Sequence, residues 1–408
     1  MSAPKSRVVI IGGNFAGLAA ASRLSREFDV SVVDTRADFE WTPNIHELLS
    51  GVKNRAGVVL PRGDCVTRYG HRFVHDAVTR IESDRNFVTT AGGLKLQYDA
   101  CLIAAGSQRT TFGVEGADRH ALGLRLVDDA VKIADRLDRL ATRKHRASVV
   151  IVGGGVSGIE ALGEILRRRA QDGEFNIHVV ELESRILGQL PVSLADDAGL
   201  RLAPFRVTLH TDSAVTRVNA RSVVLSNGEK LTADLCIWSA GLTLPDFLRD
   251  AGLNTTSDEW LPVHDTLQSH HADNIFVAGD CAELPSPIRK QAYYAMDMGA
   301  LAGDNIARLL GSRSLRRFCA VPMPMLVSLG DIITWLVAGD IVVASPLLAA
   351  GKEGVYQANM ARLASTREPL QYSADAIGRA VIAARRLLLP QLSPGKLLTD
   401  LMGSRIFT

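Results

Sequence analysis

The sequence predicts an α/β fold with two parallel sheets, each flanked by helices, and a C-terminal α+β region. One pattern occurs twice, near residues 7 and 148: an apolar strand, a glycine-rich turn, a helix and a second strand that ends in an acid. Short apolar runs rich in β-branched residues are typical of strands buried on both faces of a parallel sheet. The length of 408 residues exceeds what one hydrophobic core usually holds, so we expect several domains.

The first copy starts with the strand RVVII at Arg7–Ile11 and reaches a second strand, DVSVVD, that ends in Asp34. A helical pattern, LAAASRLSREF, lies between the two strands. The third position of its glycine motif is Asn14, a residue that tolerates left-handed backbone angles better than most. The turn comprises Gly12, Gly13, Asn14, Phe15, Ala16 and Gly17.

The second copy starts with the strand SVVIV at residue Ser148 and continues into the helical pattern IEALGEILRRRA. Its second strand, NIHVVE, ends in Glu181. All three glycines of the motif are present in this copy, at Gly153, Gly155 and Gly158.

These two patterns are Rossmann-like dinucleotide-binding units. Glycine lets the turn bend tightly, and backbone N–H groups at the start of the following helix bind a pyrophosphate. The acid at the end of the second strand accepts hydrogen bonds from the adenosine ribose hydroxyls. Asp34 follows Gly17 by 17 residues and Glu181 follows Gly158 by 23, close to the usual spacing of about 20. Two units in one chain indicate that one nucleotide stays bound while the other binds and is released in each cycle.

Charge and cysteine spacing exclude several classes of function. The 46 basic and 44 acidic residues give a net charge of +2, which offers no reason to expect a nucleic-acid partner. The pair His270-His271 lacks carboxylate or cysteine partners, so we expect no metal site. Because the five cysteines form no CxxC pair, we expect buried thiols in a reducing cytosol; they are Cys65, Cys101, Cys236, Cys281 and Cys319.

Three further segments each combine an apolar strand with a turn of small residues. They span residues 98–107, 234–241 and 274–280, and the last ends in Gly-Asp. With the two glycine turns, they make residues 5–310 resemble the pyridine nucleotide–disulfide reductase superfamily of two-dinucleotide flavoproteins. The resemblance implies FAD on the first unit and NADH or NADPH on the second.

The resemblance also implies a domain plan and a set of contacts. A discontinuous FAD domain would comprise residues 1–120 and 242–320, an inserted NAD(P)H domain residues 121–241, and a C-terminal interface region residues 321–408. Asp34 would bind the adenosine ribose of FAD and Asp280 its ribityl chain. The other implied contacts are Gly12, Gly13, Asn14, Ala16, Gly17, Ala105, Gly106 and Gly279 for FAD, and Gly153, Gly155, Gly158, Glu181 and Gly241 at the second unit.

Within this superfamily, the chain is similar to the type II NADH dehydrogenases and to the related apoptosis-inducing-factor-like quinone reductases. The stretch 38–49, where glutathione-reductase-type enzymes carry their cysteine pair, has no cysteine. It contains instead Trp41-Thr42-Pro43, with Gly51 a few residues later, which matches the dehydrogenase pattern and places Thr42 and Pro43 at the flavin. Sulfide:quinone reductases fit less well, because no cysteine lies between Cys101 and Cys236.

Three glutamates bear on the chemistry of the second unit. In the resembling enzymes, a glutamate at the position of Glu160 lies near the nicotinamide, which predicts a positioning or proton-handling role; Glu164 is a less favoured candidate. The alternative for Glu160 is a solvated residue favoured by the helix N-terminus. Glu181 favours NADH, since an acid there repels a 2′-phosphate, whereas Arg185 would favour NADPH if it reached that phosphate.

The acceptor side departs from the dehydrogenase pattern. Those enzymes carry AQxAxQxG after the late Gly-Asp, and here the glutamines are replaced by Tyr293 and Asp297. In one interpretation, Tyr293 still binds a quinone. In another, Tyr293, Tyr294 and Asp297 line a pocket for a different organic substrate. A third makes the tyrosines half-buried packing residues. We also expect Lys290 near the flavin or its phosphate.

The C-terminal part predicts short strands in VPMPMLVSLGD and WLVAGDIVVASP, followed by a helix. Residues 375–389 form an amphipathic pattern with three arginines, and the stretch 375–400 could lie on a membrane surface or pack on its own protein or a dimer partner. No run of 18 apolar residues and no signal peptide occur, so we expect a cytoplasmic protein, with peripheral membrane contact as an option.

These observations lead to one function and two alternatives. We expect an FAD-dependent NAD(P)H oxidoreductase that passes hydride to FAD and electrons to an acceptor, with a quinone favoured. The first alternative is a soluble flavoenzyme of specialised metabolism that uses the Tyr293/Asp297 pocket. The second is a slow NADH-binding redox sensor.

Overall fold

The computed structural model describes residues 4–143, 145–172, 175–249, 251, 253, 260–364 and 405–407. Its chain divides into two compact units. The first unit contains Met1–Glu40, Val59–Gln108 and Leu242–Val321. The second contains Trp41–Val58, Arg109–Gly241 and Pro322–Thr408.

The first unit is built on a five-stranded parallel sheet. Its strands pair in the order Ile275–Val277, Ala100–Ile103, Arg7–Ile11, Asp29–Asp34 and Arg72–His75. The valines and isoleucines of the central strand are almost fully buried, as the continuous apolar run predicts. Parallel strands place their carboxyl ends at one edge, so the first glycine turn and the late Gly-Asp both leave the sheet there.

Smaller elements complete the first unit. Helices Phe15–Arg23 and Ala292–Leu310 pack against each other, with Gly299 against the backbone of Ala16. The remaining strands are Asp38–Glu40, Val59–Pro61, Val78–Glu82, Phe87–Thr90, Lys95–Gln97, Leu261–Pro262 and Ala282–Glu283. The short helices are Arg62–Thr67, Ser83–Arg85 and Asp246–Arg249, and the strands Gln108–Arg109 and Leu242–Thr243 lie where the chain passes from one unit to the other.

The second unit repeats this design. Its parallel sheet has the order Leu122–Gly123, Leu235–Trp238, Ser148–Val152, Asn176–Val180 and Val207–His210. Its helices are Thr42–Leu48 (a 3-10 helix), Arg55–Val58, Ala117–His120, Val127–Ala141, Val156–Asp172, Val192–Leu202 and Leu348–Ala364. A three-stranded antiparallel sheet comprises Val215–Asn219, Ser222–Leu225 and Lys230–Thr232.

The second unit also includes the C-terminal strands, which form an antiparallel sheet of Met325–Leu329, Ile333–Ala338, Ile341–Ala344 and Arg405–Phe407. Gly163 of the helix Val156–Asp172 lies directly against Gly330, at the end of the first of these strands. The predicted α/β fold with two Rossmann-like sheets and a C-terminal α+β region is confirmed. The amphipathic segment expected at 375–389, and the stretch 375–400 that contains it, lie outside the described residues.

Among the helices that the structure describes, none has both the length and the apolar character to cross a membrane.

Candidate functional site

The two glycine turns have the same backbone geometry, each within its own unit. Gly12 has φ of +95° and Gly153 has φ of +101°, angles that glycine adopts without strain. A Cβ on Gly17 would overlap the carbonyl oxygen of Gly12, and a Cβ on Gly158 would overlap that of Gly153. Both positions therefore require glycine for the helix to approach the strand.

The acids that end the second strands hold these turns in the same way. The backbone N–H of Gly13 donates to Asp34 at 2.7 Å, and that of Gly154 donates to Glu181 at 2.7 Å. A Cβ at Gly155 would meet no atom within 4 Å, so the space beside the second turn is open. The paired acids, bent turns and open space fit a dinucleotide on each unit.

The expectation that Asn14 adopts left-handed backbone angles is wrong. Asn14 has φ of −93°, outside the left-handed region. Its amide instead makes two hydrogen bonds of 3.2 Å with the backbone of Glu40, one to the carbonyl oxygen and one from the N–H. Asn14 therefore ties the first turn to the strand Asp38–Glu40, which a glycine could not do.

Sequence reasoning missed Arg62, which is only 2% exposed. Its guanidinium forms an ion pair with Asp34 and donates to the carbonyl oxygen of Asp38. A Cβ on Gly13 would lie 2.8 Å from the Arg62 side chain, so glycine is needed there as well. Burial lowers the pKa of Arg62 to about 10, which leaves it charged at neutral pH. Nothing in the sequence near Pro61 marks this residue, because it lies in a short helix outside both patterns.

The late Gly-Asp meets the turn after the strand Ala100–Ile103. Gly279 has φ of +81°, and Asp280 accepts a hydrogen bond of 2.8 Å from the Ser107 hydroxyl. Ala105 lies against Gly12, while Gly106 has φ of +70° and open space where a side chain would be. The first unit thus brings together its glycine turn, this small-residue turn and Asp280.

A cavity of about 120 Å³ lies beside Asp280 and is lined by Trp260, Lys290 and Tyr294 among others. The Lys290 ammonium donates to the Ala282 carbonyl oxygen at 2.9 Å and lies 4.1 Å from the Trp260 ring centroid. Burial lowers the pKa of Lys290. The expected position of Lys290 beside the flavin remains a prediction.

Tyr293 and Asp297 do not line this cavity. The Tyr293 ring packs on Tyr294 with centroids 4.4 Å apart, and burial raises the pKa of its phenol. Asp297 is exposed on the helix Ala292–Leu310, and partial burial of its carboxyl raises its pKa. The structure therefore brings Tyr294, rather than the two substituted glutamine positions, to the space near Asp280.

Glu160 is buried, at 8% exposure, and the solvated alternative for this residue is wrong. Its carboxylate accepts hydrogen bonds from the Lys352 ammonium at 2.6 Å and from the Ser328 backbone N–H at 3.3 Å. His46 Nδ1 lies 3.5 Å from the other carboxylate oxygen. Burial raises the pKa of Glu160, and Lys352 opposes that rise.

His46 and Lys352 were not singled out from the sequence. The Lys352 ammonium also lies 3.1 Å from His46 Nε2. Burial and the charges of Lys352 and Arg167 lower the pKa of His46 well below its usual range, so its ring is neutral at neutral pH. The helix that carries Lys352 has no motif, and only the three-dimensional structure places it beside Glu160.

Two other predicted contacts lie in the second unit. Thr42 and Pro43 open the 3-10 helix Thr42–Leu48, which the Trp41 indole anchors by a hydrogen bond of 2.8 Å to Asn44. Gly241 has φ of +74° and lies against the Phe112 ring, so a side chain would clash there. Their proposed contacts with cofactors remain predictions.

All five cysteines are thiols in the structure, and four are buried. Burial raises the pKa of Cys236 to about 12 and that of Cys281 to about 11, so neither is a reactive thiolate at neutral pH.

Fold and site together define a two-dinucleotide oxidoreductase. Residues 6–299 match the family model described as pyridine nucleotide-disulphide oxidoreductase, and the chain belongs to this family. The predicted class, an oxidoreductase that uses FAD and a pyridine nucleotide, is confirmed.

Several characterised proteins are similar to this chain. Demethylphylloquinone reductase NdbB of Synechocystis is 28% identical over 298 residues, which cover 69% of this chain and 73% of that protein. The type II NADH:quinone oxidoreductase of Staphylococcus aureus is 26% identical over 360 residues, covering 81% and 89%.

Two solved structures share the fold. The structure of NDH2 from Plasmodium falciparum in complex with NADH has a TM-score of 0.80 at 16% identity, covering 92% of this chain and 98% of that one. The sulfide:quinone oxidoreductase of Aquifex aeolicus has a TM-score of 0.78 at 17% identity, covering 89% and 92%.

Proposed function

We propose that this protein oxidises NADH and passes the electrons through FAD to a quinone. The observation that carries the proposal is the pair of matching glycine turns, each closed by its own acid, in a chain without a cysteine pair. The two relatives reported above, which are named as quinone reductases and match along 69% and 81% of the chain, support the choice of acceptor. When bound, the flavin supplies two-electron chemistry that no side chain can supply.

The structure supports NADH as the electron donor. Glu181 accepts hydrogen bonds from the backbone N–H groups of Gly154 and Glu183, which orient its carboxylate. The guanidinium of Arg185 donates to three backbone carbonyl oxygens of its own loop, those of Leu187, Gly188 and Leu190. Because the Arg185 guanidinium is already hydrogen-bonded to these carbonyls, the negative charge of Glu181 decides the nucleotide preference. That charge disfavours a 2′-phosphate.

The chain's own residues position the groups rather than react with them. Gly12, Gly13 and Asn14 would hold the FAD pyrophosphate, Asp34 its ribose and Asp280 its ribityl chain. Glu160, held by Lys352, would position the nicotinamide or handle a proton close to it. Stacking two rings at van der Waals distance is sufficient for hydride transfer, so positioning is the main task of the protein.

A different organic acceptor is the second candidate, and one observation favours it. Tyr293 and Asp297 replace both glutamines of the quinone-binding pattern, and Asp297 is exposed. We keep Tyr293 as the proposed acceptor-side residue, because its ring packs against that of Tyr294, which lines the cavity beside Asp280.

The flavin spectrum decides between these functions. Purified protein is expected to show a flavin spectrum that NADH bleaches and that a soluble quinone restores at a steady turnover rate. Rapid bleaching without turnover by quinone favours another acceptor, and very slow bleaching with a long-lived complex favours a sensor. Protein that holds no flavin under any condition contradicts all three.

Peripheral membrane contact through residues 375–400 and a homodimer remain parts of the proposal. Co-sedimentation with anionic lipid vesicles, compared with a chain truncated after Ala364, tests the first. The mass of the full chain in solution tests the second.

A further inference from the structure

Phe112, in the second unit, combines a strained backbone with an exposed side chain. Its φ is +52°, in the left-handed region that a bulky residue rarely adopts, and 68% of the residue is exposed. In the described part of the chain, Leu187 and Leu267 also have positive φ, of +54° and +66°, but they are 2% and 0% exposed. Core packing offsets the strain at both leucines, whereas it does little for Phe112.

Hydrogen bonds hold the loop that carries Phe112. The Phe112 backbone N–H donates to the Thr110 hydroxyl at 3.0 Å. The indole N–H of the buried Trp238 lies 3.0 Å from the Thr110 carbonyl oxygen and 2.9 Å from that of Ala240. One indole therefore joins this loop to the turn at residues 239–241, and the backbone beneath Phe112 sets the position of its ring.

The Phe112 ring lies against that turn, at Gly241. A Cβ on Gly241 would overlap the ring and would lie 2.8 Å from the Thr110 methyl carbon. Gly241 therefore leaves room for the ring beside the turn, and the turn covers only part of the ring. The exposed remainder is an apolar surface in a fixed position, which a planar ligand group needs for stacking.

The same turn touches the glycine turn of this unit. The Ser239 hydroxyl donates to the Gly153 carbonyl oxygen at 3.0 Å, and a Cβ on Gly153 would lie 3.0 Å from the Ala240 backbone nitrogen. Gly153 and the Phe112 ring therefore contact neighbouring residues of one short turn. A ligand bound at the glycine turn is accordingly close to the ring.

The order of the strands shows which half of a dinucleotide would reach the ring. Leu235–Trp238, Ser148–Val152 and Asn176–Val180 are neighbours in that order in the parallel sheet, about 4.8 Å apart. Their carboxyl ends lead into the turn at residues 239–241, the glycine turn and Glu181. With the adenosine ribose at Glu181 and the pyrophosphate over the central glycine turn, the other half of the molecule extends toward residues 239–241.

We propose that the Phe112 ring binds the nicotinamide half of the pyridine nucleotide by packing on one face of the nicotinamide. This inference rests on the proposed function, in which NADH binds the second unit. Nicotinamide is planar, and in NAD⁺ it carries a positive charge that the face of an aromatic ring attracts. Hydride leaves from one face of the nicotinamide, so a ring on the other face does not obstruct the transfer. The strained backbone keeps the ring in place beside Gly241, where core packing would not hold it.

Binding to the oxidised, flavin-bound full chain tests the contact without turnover. The probes are NAD⁺ and ADP-ribose, which lacks the nicotinamide. In titration calorimetry, Phe112→Ala should weaken NAD⁺ binding about tenfold and leave the Kd of ADP-ribose unchanged. Phe112→Tyr, which keeps the ring, should bind NAD⁺ as the wild type does. An unchanged affinity for NAD⁺ in Phe112→Ala, or equal losses for both ligands, overturns the inference.

A further variant separates the ring from the strain. Phe112→Gly also removes the ring, but glycine adopts φ of +52° without strain, so this variant should unfold at a higher temperature than Phe112→Ala. Both variants should lose the same affinity for NAD⁺ despite their unequal stability. A loss of affinity confined to the less stable variant would show that Phe112 only supports the loop, and it would overturn the inference.

Leu182 provides the matched control. It is also 68% exposed, and it follows Glu181 on the adenosine side of the proposed site. Leu182→Ala should leave the ratio of the two Kd values at its wild-type value, because any effect there falls on both ligands. A change in that ratio as large as the one in Phe112→Ala contradicts a contact specific to Phe112.

Reduction of the flavin separates this inference from the proposed function. NADH should bleach the flavin in both proteins, but Phe112→Ala should need about tenfold more NADH to reach half its maximal rate. If NADH bleaches the wild type and Phe112→Ala keeps its affinity for NAD⁺, the inference fails and the proposed function stands. If NADH never bleaches the wild-type flavin, the proposed function fails and this inference fails with it.

Discussion

At the residue scale, Lys352 is the only cation within hydrogen-bonding distance of Glu160 among the described residues, and it is supplied by a helix without any recognisable motif. Its ammonium is shared among Glu160, His46 and the Ser328 hydroxyl. A buried pair of this kind adds little net stability, but breaking it leaves a charge without compensation.

We therefore expect Lys352→Met to destabilise the protein by about 3–5 kcal/mol. Without the ammonium, the pKa of Glu160 should rise further, because burial then acts unopposed. Urea denaturation of the flavin-bound protein measures the loss. The double variant Lys352→Met/Glu160→Gln should recover most of it, and no recovery would show that Lys352 acts through packing alone.

Glu181 gives the second residue-scale prediction. Glu181→Ser removes the negative charge that disfavours a 2′-phosphate, so the preference of kcat/KM for NADH over NADPH should fall about tenfold, or about 1.4 kcal/mol. Steady-state rates with both nucleotides measure it. Arg185→Ala is the matched control and should leave the preference unchanged, since that guanidinium is held by backbone carbonyls.

At the element scale, the helix crossing in the first unit depends on glycine. Gly299 and Gly303 of the helix Ala292–Leu310 lie directly against the backbone of Ala16 and Ala20. This crossing joins the helix that follows the first glycine turn to the helix that carries Tyr293. The sequence shows that Gly299 and Gly303 are four residues apart, but it does not show which helix packs against them.

Gly299→Ala should destabilise the first unit by about 1–3 kcal/mol, because the added methyl would overlap the Ala16 carbonyl oxygen. Flavin retention should fall with it, since Ala16 belongs to the glycine turn. Thermal unfolding and flavin content after gel filtration report the two effects. Gly199→Ala, in a helix where a Cβ meets nothing within 4 Å, should instead stabilise by about 0.5–1 kcal/mol.

Many of the strands and turns could be predicted from local sequence patterns. Both glycine turns, the strands Arg7–Ile11 and Ser148–Val152 and the acids that follow depend on period and spacing, which a sequence displays directly. Asn14 was located correctly but explained wrongly, because its hydrogen bonds with Glu40 join positions 26 apart in the chain. Arg62, His46 and Lys352 could not be predicted for the same reason: each acts through a partner distant in sequence.

At the scale of the whole molecule, Glu164 should give stability an unusual pH dependence. Its pKa is about 7 in the folded chain against an ordinary value of 4.5, so the folded state binds the extra proton. This contribution is fully present below about pH 4.5 and is lost as pH rises through about 7, a change of about 3 kcal/mol.

Urea unfolding across that window should show this contribution as a difference from Glu164→Gln, which cannot titrate. The variant's stability should gain on the wild type as pH rises, whereas a constant difference would contradict a proton bound at Glu164. His46, with its lowered pKa, acts in the opposite sense and weakens the fold as pH falls below about 6.5 in both proteins, so it cancels in the comparison.

Arg62 should give the two proposed nucleotide sites, which otherwise match, different residence times. Asp34 is neutralised by a buried guanidinium, whereas Glu181 has no cation partner within the described part of the chain. A pyrophosphate beside a neutralised acid meets less repulsion and should leave slowly, while one beside a bare carboxylate should leave quickly. A catalyst that keeps one nucleotide bound through every cycle and exchanges the other needs unequal residence times at its two sites. The buried guanidinium of Arg62 is the structural difference that would produce them.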